Sequence, residues 1–579
     1  FCIFIMIKIE TVRHSLAHIL AYAIRELYPG VKFGIGPVIE NGFYYDFDFS
    51  NLLNDSRIKS NETRISEEDL PRIEKKMREL IKQILRFEKK IISLNEAKKI
   101  FKNQPYKLDL INQKSKIKNQ KLSIYQCGDF IDLCKGPHIR STKEIPIDAF
   151  KLTKISGAYW KGDEKNPMLT RIYGVAFENK KALEKYLKFQ EEAEKRDHRV
   201  LGQKLDLFHI DENVGPGLIL WHPKGALIKK IIIDYALNKY LANGYQLIDT
   251  PHIAKLNLWK TSGHLDFYKE NMMPPMHMKE IGKEEKDDYQ IKPMNCPFHI
   301  AVYKTKIHSY KDLPVRFTEI GTVYRYEKSG TLHGLTRVRQ ISQDDAHIFC
   351  TPNQLSDEIL SILKLTQEVF RDLGIKEFTI YLSTRPEKYI GTLKDWEKAE
   401  NAIKYSLEKL NLKYQIDKGG GAFYGPKIDI KIKDAIGREW QCTTIQIDFN
   451  LPKRFDVAFV NEKGKKENVI MVHRALLGSL ERFIGVLLEY YAGALPLWLS
   501  PEQIWIIPIG SNHVKYAKEV TKEIISKINS EFAENRIILK NDKETVSKKI
   551  REGEIQKIPY LLVVGDKEME HKSVRVRER

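Results

Sequence analysis

The 579-residue sequence predicts a multidomain protein of mixed α/β and α+β class, and three observations predict it. A chain this long exceeds what one hydrophobic core organises, so three or four domains are expected. Residues 321–349, GTVYRYEKSGTLHGLTRVRQISQDDAHIF, hold two β-prone runs, 322–326 and 336–341, around a polar turn with Ser329 and Gly330. That is the pattern of an antiparallel hairpin. Beyond residue 499, apolar strands and charged helices alternate, as in a small α/β domain with a mostly parallel sheet.

The elements follow in order. From residue 11, HSLAHILAYAIREL has helical apolar spacing and stops at Pro29 and Gly30. His14 and His18, four apart, project from one face of that helix. The interval 51–70 is polar and turn-rich, and LPRIEKKMRELIKQILRFEKK (70–90) predicts one amphipathic helix. FIDLCKGPHIR sets Cys134 and His138 four apart, just after Asp132. With His14 and His18 these make two pairs of potential ligands, and residue chemistry alone favours a metal. KISGAYWKGDEKNPMLTRIYGVAF alternates like a small sheet, and residues 181–205 predict one long connecting helix. A helix over 224–243 leads to a strand ending at Pro251.

On facing strands of the hairpin, Arg325 and Arg337 present two planar guanidiniums, with Glu327 on the face of Arg325. Two such groups beside a carboxylate suit a nucleotide triphosphate better than lysines do. His347 in QDDAHIF, Cys296 in PMNCP and His473 in MVHRALLGSLERF form a Cys/His/His set, which leaves a tetrahedral zinc one open position, the pattern of a working site. HRALLGSLERFIGVLLEYYAG predicts a helix, with Arg482 nine residues beyond His473 and on another face. The glycines of GGGAFYGPKIDIKI permit close backbone approach, and WQCTTIQIDF predicts a strand.

Lys and Arg exceed Asp and Glu by 19, which favours a polyanionic partner. Six scattered cysteines make no disulfide framework and point to a reducing, cytoplasmic setting. The opening FCIFIMIKI is too short to cross a bilayer and lacks a basic leader or cleavage site; no membrane span is expected elsewhere. Phe as first residue is expected of a chain that begins inside a longer reading frame.

Together, RYE and RVR of the hairpin, QDDAH, KPMNCP, GGGAFYGPK, WQCTTIQ and HRALLGSLERFIG, with HSLAH and CKGPH, closely resemble the threonyl-tRNA synthetases of bacterial type, which are class II aminoacyl-tRNA synthetases. The likeness runs from about Glu10 to the C-terminus. It implies an α+β editing domain (residues 1–178), a helical linker (179–204), a class II antiparallel-sheet catalytic domain flanked by helices (205–498) and an α/β anticodon-binding domain (499–579). It implies ATP-dependent attachment of L-threonine to threonine tRNA through a threonyl-adenylate, with hydrolytic editing of seryl-tRNA.

The resemblance also implies roles. Arg325, Arg337, Arg482 and Lys427 would be catalytic, with Lys427 in the neighbourhood of the amino-acid pocket, and Arg325, Glu327, Arg337, Gln441, Thr444 and Arg482 would hold ATP, which comes with Mg2+. Met294, Gln343, Asp345, Tyr424 and Gln446 would shape the threonine pocket. Cys296, His347 and His473 would hold one zinc per subunit, with His473 near a helix start. His14, His18, Lys107, Asp132, Cys134 and His138 would form the editing pocket, generally without a metal. Glu568 and Arg577 match positions used for anticodon bases, and residues 215–251 match a homodimer interface. At Thr443 relatives often carry a smaller residue. A prolyl or seryl enzyme would share the arginine hairpin without needing this zinc triad together with HSLAH. A non-catalytic RNA-binding relative would need neither the three arginines nor the ligands.

Overall fold

The computed structural model describes residues 8–50, 65–114, 121–279, 286–434, 437–528 and 533–579. The opening residues 1–7 and most of the turn-rich interval lie outside the described residues. The chain divides into two compact units, Phe1–Glu191 and Glu192–Arg579.

In the first unit, helix α1 (Ile9–Leu27) buries Leu16, Ile19, Leu20, Ala23 and Ile24, the stripe its spacing predicts. It packs on strand β1 (Gly42–Asp48) and helix α2 (Leu70–Lys82). The predicted helix over 70–90 is only half helix. Ile84 turns the chain at φ 56°, and Phe87–Ile92 becomes strand β2. There Phe87 enters the core and the segment gains a ladder that a surface helix would not offer. Helix α3 (Pro105–Lys114) carries Lys107. Strands β3 (Leu122–Cys127) and β4 (Phe130–Leu133) complete the sheet with β2, and Cys134 follows β4. The predicted small sheet is β5 (Phe150–Tyr159) and β6 (Met168–Ala176), antiparallel, with β6 also paired to β1.

The predicted connector is two helices, α4 (Lys180–Arg196) and α5 (His198–Lys204). The break comes at Asp197, whose side chain accepts the Arg199 N–H at 2.8 Å and caps α5.

The second unit holds helix α6 (Pro223–Ala242), started by a proline that needs no N–H partner there. Strand β7 (Gln246–Leu247) and helix α7 (Cys296–Tyr303) follow. Strand β8 (Val315–Tyr324) and strand β9 (Gln340–Cys350) form the hairpin, with helix α8 (Leu355–Asp372) after it. Strands β10 (Phe378–Ser383), β11 (Tyr414–Asp417), β12 (Lys427–Lys433), β13 (Glu439–Asp448) and β14 (Ile470–Ser479) complete an eight-stranded sheet, and helix α10 (Leu480–Tyr490) follows helix α9 (Leu393–Lys409) in chain order. The strand order is β7-β8-β9-β14-β13-β12-β10-β11, antiparallel except at the two edge pairs.

Two expectations need correction here. The hairpin exists, but its ladder ends at Tyr324↔Gln340, so Arg325, Glu327 and Arg337 lie on the loop beyond it, not on facing strands. The glycine-bearing loop makes its own bonds, His333 and Arg337 exchanging backbone N–H and C=O at 3.1 and 3.2 Å. His473 lies on strand β14, not near a helix start. The run MVHRALLG is apolar at both parities because β14 is buried on both faces between β9 and β13, and such a run resembles a helix in sequence. The chain turns at Gly478 (φ 72°), and the Ser479 side chain accepts the Arg482 N–H at 3.3 Å to start α10.

The C-terminal alternation is present: β15 (Ile504–Pro508), α11 (Val514–Lys527), β16 (Ile537–Leu539), α12 (Val546–Ile555), β17 (Tyr560–Val564), α13 (Asp566–Glu570) and β18 (Arg575–Glu578). The order is β16-β15-β17-β18, with β18 alone antiparallel. Helix α11 ends at Lys527, and residues 529–532 lie outside the described residues.

Candidate functional site

Alternation along β9 builds the site. Ala346, Ile348 and Cys350 join the large apolar core, so His347 and its same-parity neighbour Asp345 point to the other face. The register then draws a line across four strands: His347↔His473, His473↔Gln446 and Gln446↔Lys427. The adjoining line is Asp345↔Ala475, Ala475↔Thr444 and Thr444↔Asp429. Residues more than a hundred positions apart thereby share one surface.

Cys296 opens α7 beside this surface, and one ligand atom each from Cys296, His347 and His473 lie within 4.8 Å of one another. His347 Nε2 faces His473 Nδ1 at 2.9 Å. Behind them, His473 Nε2 meets Asp448 Oδ2 at 3.0 Å, and His347 Nδ1 meets His299 Nδ1 at 3.0 Å. His299 Nε2 in turn meets Glu319 Oε1 at 3.1 Å. Burial pushes the Cys296 thiol well up, with Asp345 and Asp448 adding to it, and holds His347 well below the usual imidazole range, with His299 and His473 adding to it. A neutral imidazole is the form in which a cation takes His347, the Cys296 thiol would give up its proton to the cation, and Asp448 behind His473 matches the carboxylates that stand behind metal-bound histidines. The donor set therefore fits a metal ion.

The cleft over these residues spans about 1190 Å³, counting the space open to solvent at its mouth. It brings together the predicted metal ligands with Met294, Gln343, Asp345, Tyr424 and Gln446, and with Arg325, Gln441, Thr444 and Arg482. Tyr424 OH donates to Gln446 Oε1 at 2.9 Å, and Asn295 Nδ2 donates to Asp345 Oδ2 at 2.9 Å. Arg325 Nε is buried without a hydrogen-bond partner among the described residues. Burial lowers the pKa of Arg482, and Arg325 and Arg337 push the same way, so the guanidiniums are crowded as they would be around a polyanion. Lys427, Glu327 and Arg337 are not in the cleft lining. Lys427 Nζ pairs with Asp429 at 2.7 Å, and Arg337 Nε donates to Glu327 Oε2 at 2.9 Å. The Thr443 hydroxyl donates to Leu476 O at 2.6 Å, so the larger residue fits its buried place.

Sequence reasoning missed four carboxylates and an imidazole. Asp429 accepts from both Gln441 Nε2 (2.6 Å) and Thr444 Oγ1 (3.2 Å). Asp448 shares the parity of Gln446 on β13, and His299 lies three residues after Cys296 on α7, so both spacings carried the signal. Asp344 caps the β14 turn through the Leu476, Leu477 and Gly478 N–H groups, and Glu319 on β8 is buried behind the ligands.

The first unit holds a second constellation. Cys134 Sγ lies 3.3 Å from His14 Nε2 and 3.2 Å from His138 Nε2. His14 Nδ1 donates to Pro137 O at 3.1 Å. Ser15 Oγ gives its proton to Thr11 O, so His138 Nδ1 is the donor in its 3.1 Å contact with Ser15. Both ring nitrogens facing the thiol are therefore unprotonated. Burial pushes the Cys134 thiol up to about 11 and lowers His14, His18 and His138. Beside them Asp132 binds buried Lys107 and accepts from Tyr45 OH at 2.6 Å, with His18 Nε2 at 3.7 Å. Tyr45 was not expected; a buried-face Tyr in GFYYDFDF calls for a polar partner, which was the available signal. His14, His18, Cys134 and His138 together also have metal-ligand geometry.

In the C-terminal sheet, Glu568 caps its own helix by accepting the Gly565 N–H at 2.9 Å, and Arg577 is exposed on β18, 3.9 Å from Glu554. Among the described residues no helix is long and apolar enough to cross a membrane.

Three family models match the chain: the tRNA synthetase class II core domain (G, H, P, S and T) over residues 277–491, the threonyl and alanyl tRNA synthetase second additional domain over 122–173, and an anticodon binding domain over 503–579. A threonine–tRNA ligase of Sulfurihydrogenibium sp. is 52% identical over 576 residues, covering 99% of this chain and 86% of the relative. One from Aquifex aeolicus is 51% identical with the same coverage. Among solved structures, the RNA binding domain of threonyl-tRNA synthetase from Cryptosporidium parvum matches with a TM-score of 0.61 and 41% identity, over 66% of this chain and 93% of that one. A prolyl-tRNA synthetase from Giardia lamblia, at 17% identity and a TM-score of 0.52, over 66% of this chain and 71% of that one, shares the fold. The chain belongs to the threonine–tRNA ligase family of class II aminoacyl-tRNA synthetases.

Proposed function

We propose that this chain attaches L-threonine to threonine tRNA in two steps at the β9–β14–β13 surface and hydrolyses seryl-tRNA in its first unit. Family membership supports the reaction. The observation that carries the assignment of residues is the meeting of Cys296, His347 and His473 beside Arg325 and Arg482 in one cleft. In the first step a threonine carboxylate oxygen attacks the α-phosphorus of ATP, and pyrophosphate leaves. Arg325, Arg337 and Arg482 hold the triphosphate of Mg2+-bound ATP, Glu327 orients Arg337, and Gln441, Thr444 and Lys427 are fixed around Asp429. Rate comes from this positioning and from fixed charge at the polyphosphate. In the second step a hydroxyl of the tRNA terminal adenosine attacks the threonyl carbonyl carbon, and AMP leaves.

Cys296, His347 and His473 would hold zinc, which when bound supplies positive charge for the amino and β-hydroxyl groups of threonine. Asp345, Gln343, Met294, Tyr424 and Gln446 shape the pocket around those groups. A site that must satisfy a hydroxyl rejects valine strongly, whereas serine lacks only a methyl and loses about 1–3 kcal/mol. Serine leaks through, so His14, His18, Lys107, Asp132, Cys134 and His138 form the second sieve.

The domain limits in this reading are 1–178 for editing, 179–204 for the linker, 205–498 for catalysis and 499–579 for the anticodon, where Glu568 and Arg577 face bases. A cytoplasmic homodimer completes it; Leu241 at the end of α6 and Leu247 on β7 are about half exposed and give the partner an apolar surface. An amino-acid panel for pyrophosphate exchange tests the reading: exchange with threonine, little with serine and none with proline or valine. Equal exchange with proline would refute it.

A further inference from the structure

Asp197, His198 and Glu489 have the composition of a metal site, yet their polar atoms are already engaged by the protein. The His198 ring is fully buried and bonded at both nitrogens. The Leu335 N–H points at Nε2 at 2.9 Å, so Nε2 carries no proton and Nδ1 does. Nδ1 donates to Glu489 Oε1 at 2.8 Å, and Glu489 Oε2 is closed by Arg438. The neutral Nδ1–H tautomer is thus built in from both sides.

What His198 grips is the return strand of the loop that carries Arg337. Leu335 is fully buried, and two residues later comes Arg337. Gly334 has a φ of 47°, and a Cβ there would lie 2.2 Å from His198 Nε2, so ring and loop are fitted to each other. The next carbonyl, Thr336 O, accepts from Arg482 Nε at 3.0 Å. Arg482 stands near the start of α10 and Glu489 near its end. One helix therefore places a guanidinium directly and fixes the loop of another through the imidazole.

We infer that His198 is a positioning residue for ATP, setting Arg337 against Arg482 by holding the Leu335 N–H while Glu489 holds its own ring. The inference rests on the assignment of Arg337 to the triphosphate made above. Two substitutions separate the two ring nitrogens. His198→Gln reaches as far as Nε2 and can accept the Leu335 N–H. His198→Asn reaches only as far as Nδ1, keeps a donor for Glu489 and loses the loop.

Threonine-dependent pyrophosphate exchange gives KM for each substrate. His198→Asn is expected to raise KM for ATP about tenfold, the size of one lost hydrogen bond. KM for threonine should stay within about twofold, and His198→Gln should restore KM for ATP to within about twofold of the parent. Equal KM for ATP in the two variants, or a parallel rise in both KM values, overturns the inference. If His198→Asn does not fold, Gly334→Ala reads the same contact: its Cβ displaces the ring, and an unchanged KM for ATP overturns the inference. Arg337→Ala is the control on the underlying reading. If it leaves KM for ATP unchanged, the assignment of Arg337 fails, and this inference with it.

Discussion

The His347 ring shows how a bound cation would fix the place of a proton. With a cation held at Nε2, Nδ1 carries the hydrogen and donates to His299 Nδ1, 3.0 Å away. His299 must then hold its proton on Nε2, where Glu319 accepts it, and Glu319 also accepts from Thr250 Oγ1 at 2.9 Å. Removing the relay with His299→Ala should lower zinc affinity about 10–100-fold, read by competition with a chelator; unchanged affinity would contradict the relay. Cys134 gives a second residue-scale test. With its pKa raised to about 11 by burial, the thiolate fraction at neutral pH is small and rises with pH. Alkylation of Cys134 by iodoacetamide, followed by mass spectrometry, should rise about tenfold per pH unit from 7 to 10. A plateau below pH 9 would show a lowered pKa and a thiolate nucleophile instead.

At the scale of elements, legibility followed whether local pattern and tertiary surroundings agreed. Helix α1 was plain because its apolar stripe is the face it buries. Substituting Leu16, 1% exposed on that face, by Ala should cost about 2–5 kcal/mol of the first unit's stability. Seryl-tRNA hydrolysis should then fall at raised temperature while threonine-dependent exchange, housed in the second unit, holds. A matching loss of exchange would show that the units do not act separately. Strand β14 was misread because burial on both faces erases the period of two, leaving the Leu- and Ala-rich run that a buried helix also shows. The hairpin was visible, but its tip was not: bonds such as Arg339 N–H to Gly217 O at 2.8 Å, over a hundred residues apart, hold the tip off the ladder. The site behaved likewise. Residue types named Cys296, His347 and His473, whereas Asp429 and Glu319 owe their place to register alone.

At the scale of the whole molecule, the account stands on three chain segments, those of Cys296, His347 and His473, distant in sequence and converging on a site for one ion. The sheet register brings His347 and His473 opposite each other, and α7 delivers Cys296 beside them. The second His/Cys cluster, in the first unit, makes metal content alone ambiguous, so position has to be tested. The direct measurement is zinc per chain, with threonine-dependent pyrophosphate exchange, in the parent, Cys296→Ser and the double variant His14→Ala with Cys134→Ala. The account predicts one zinc in the parent and in the double variant, both active in exchange, and neither zinc nor exchange in Cys296→Ser. Zinc retained by Cys296→Ser and lost from the double variant, or full exchange by a zinc-free Cys296→Ser, would contradict it.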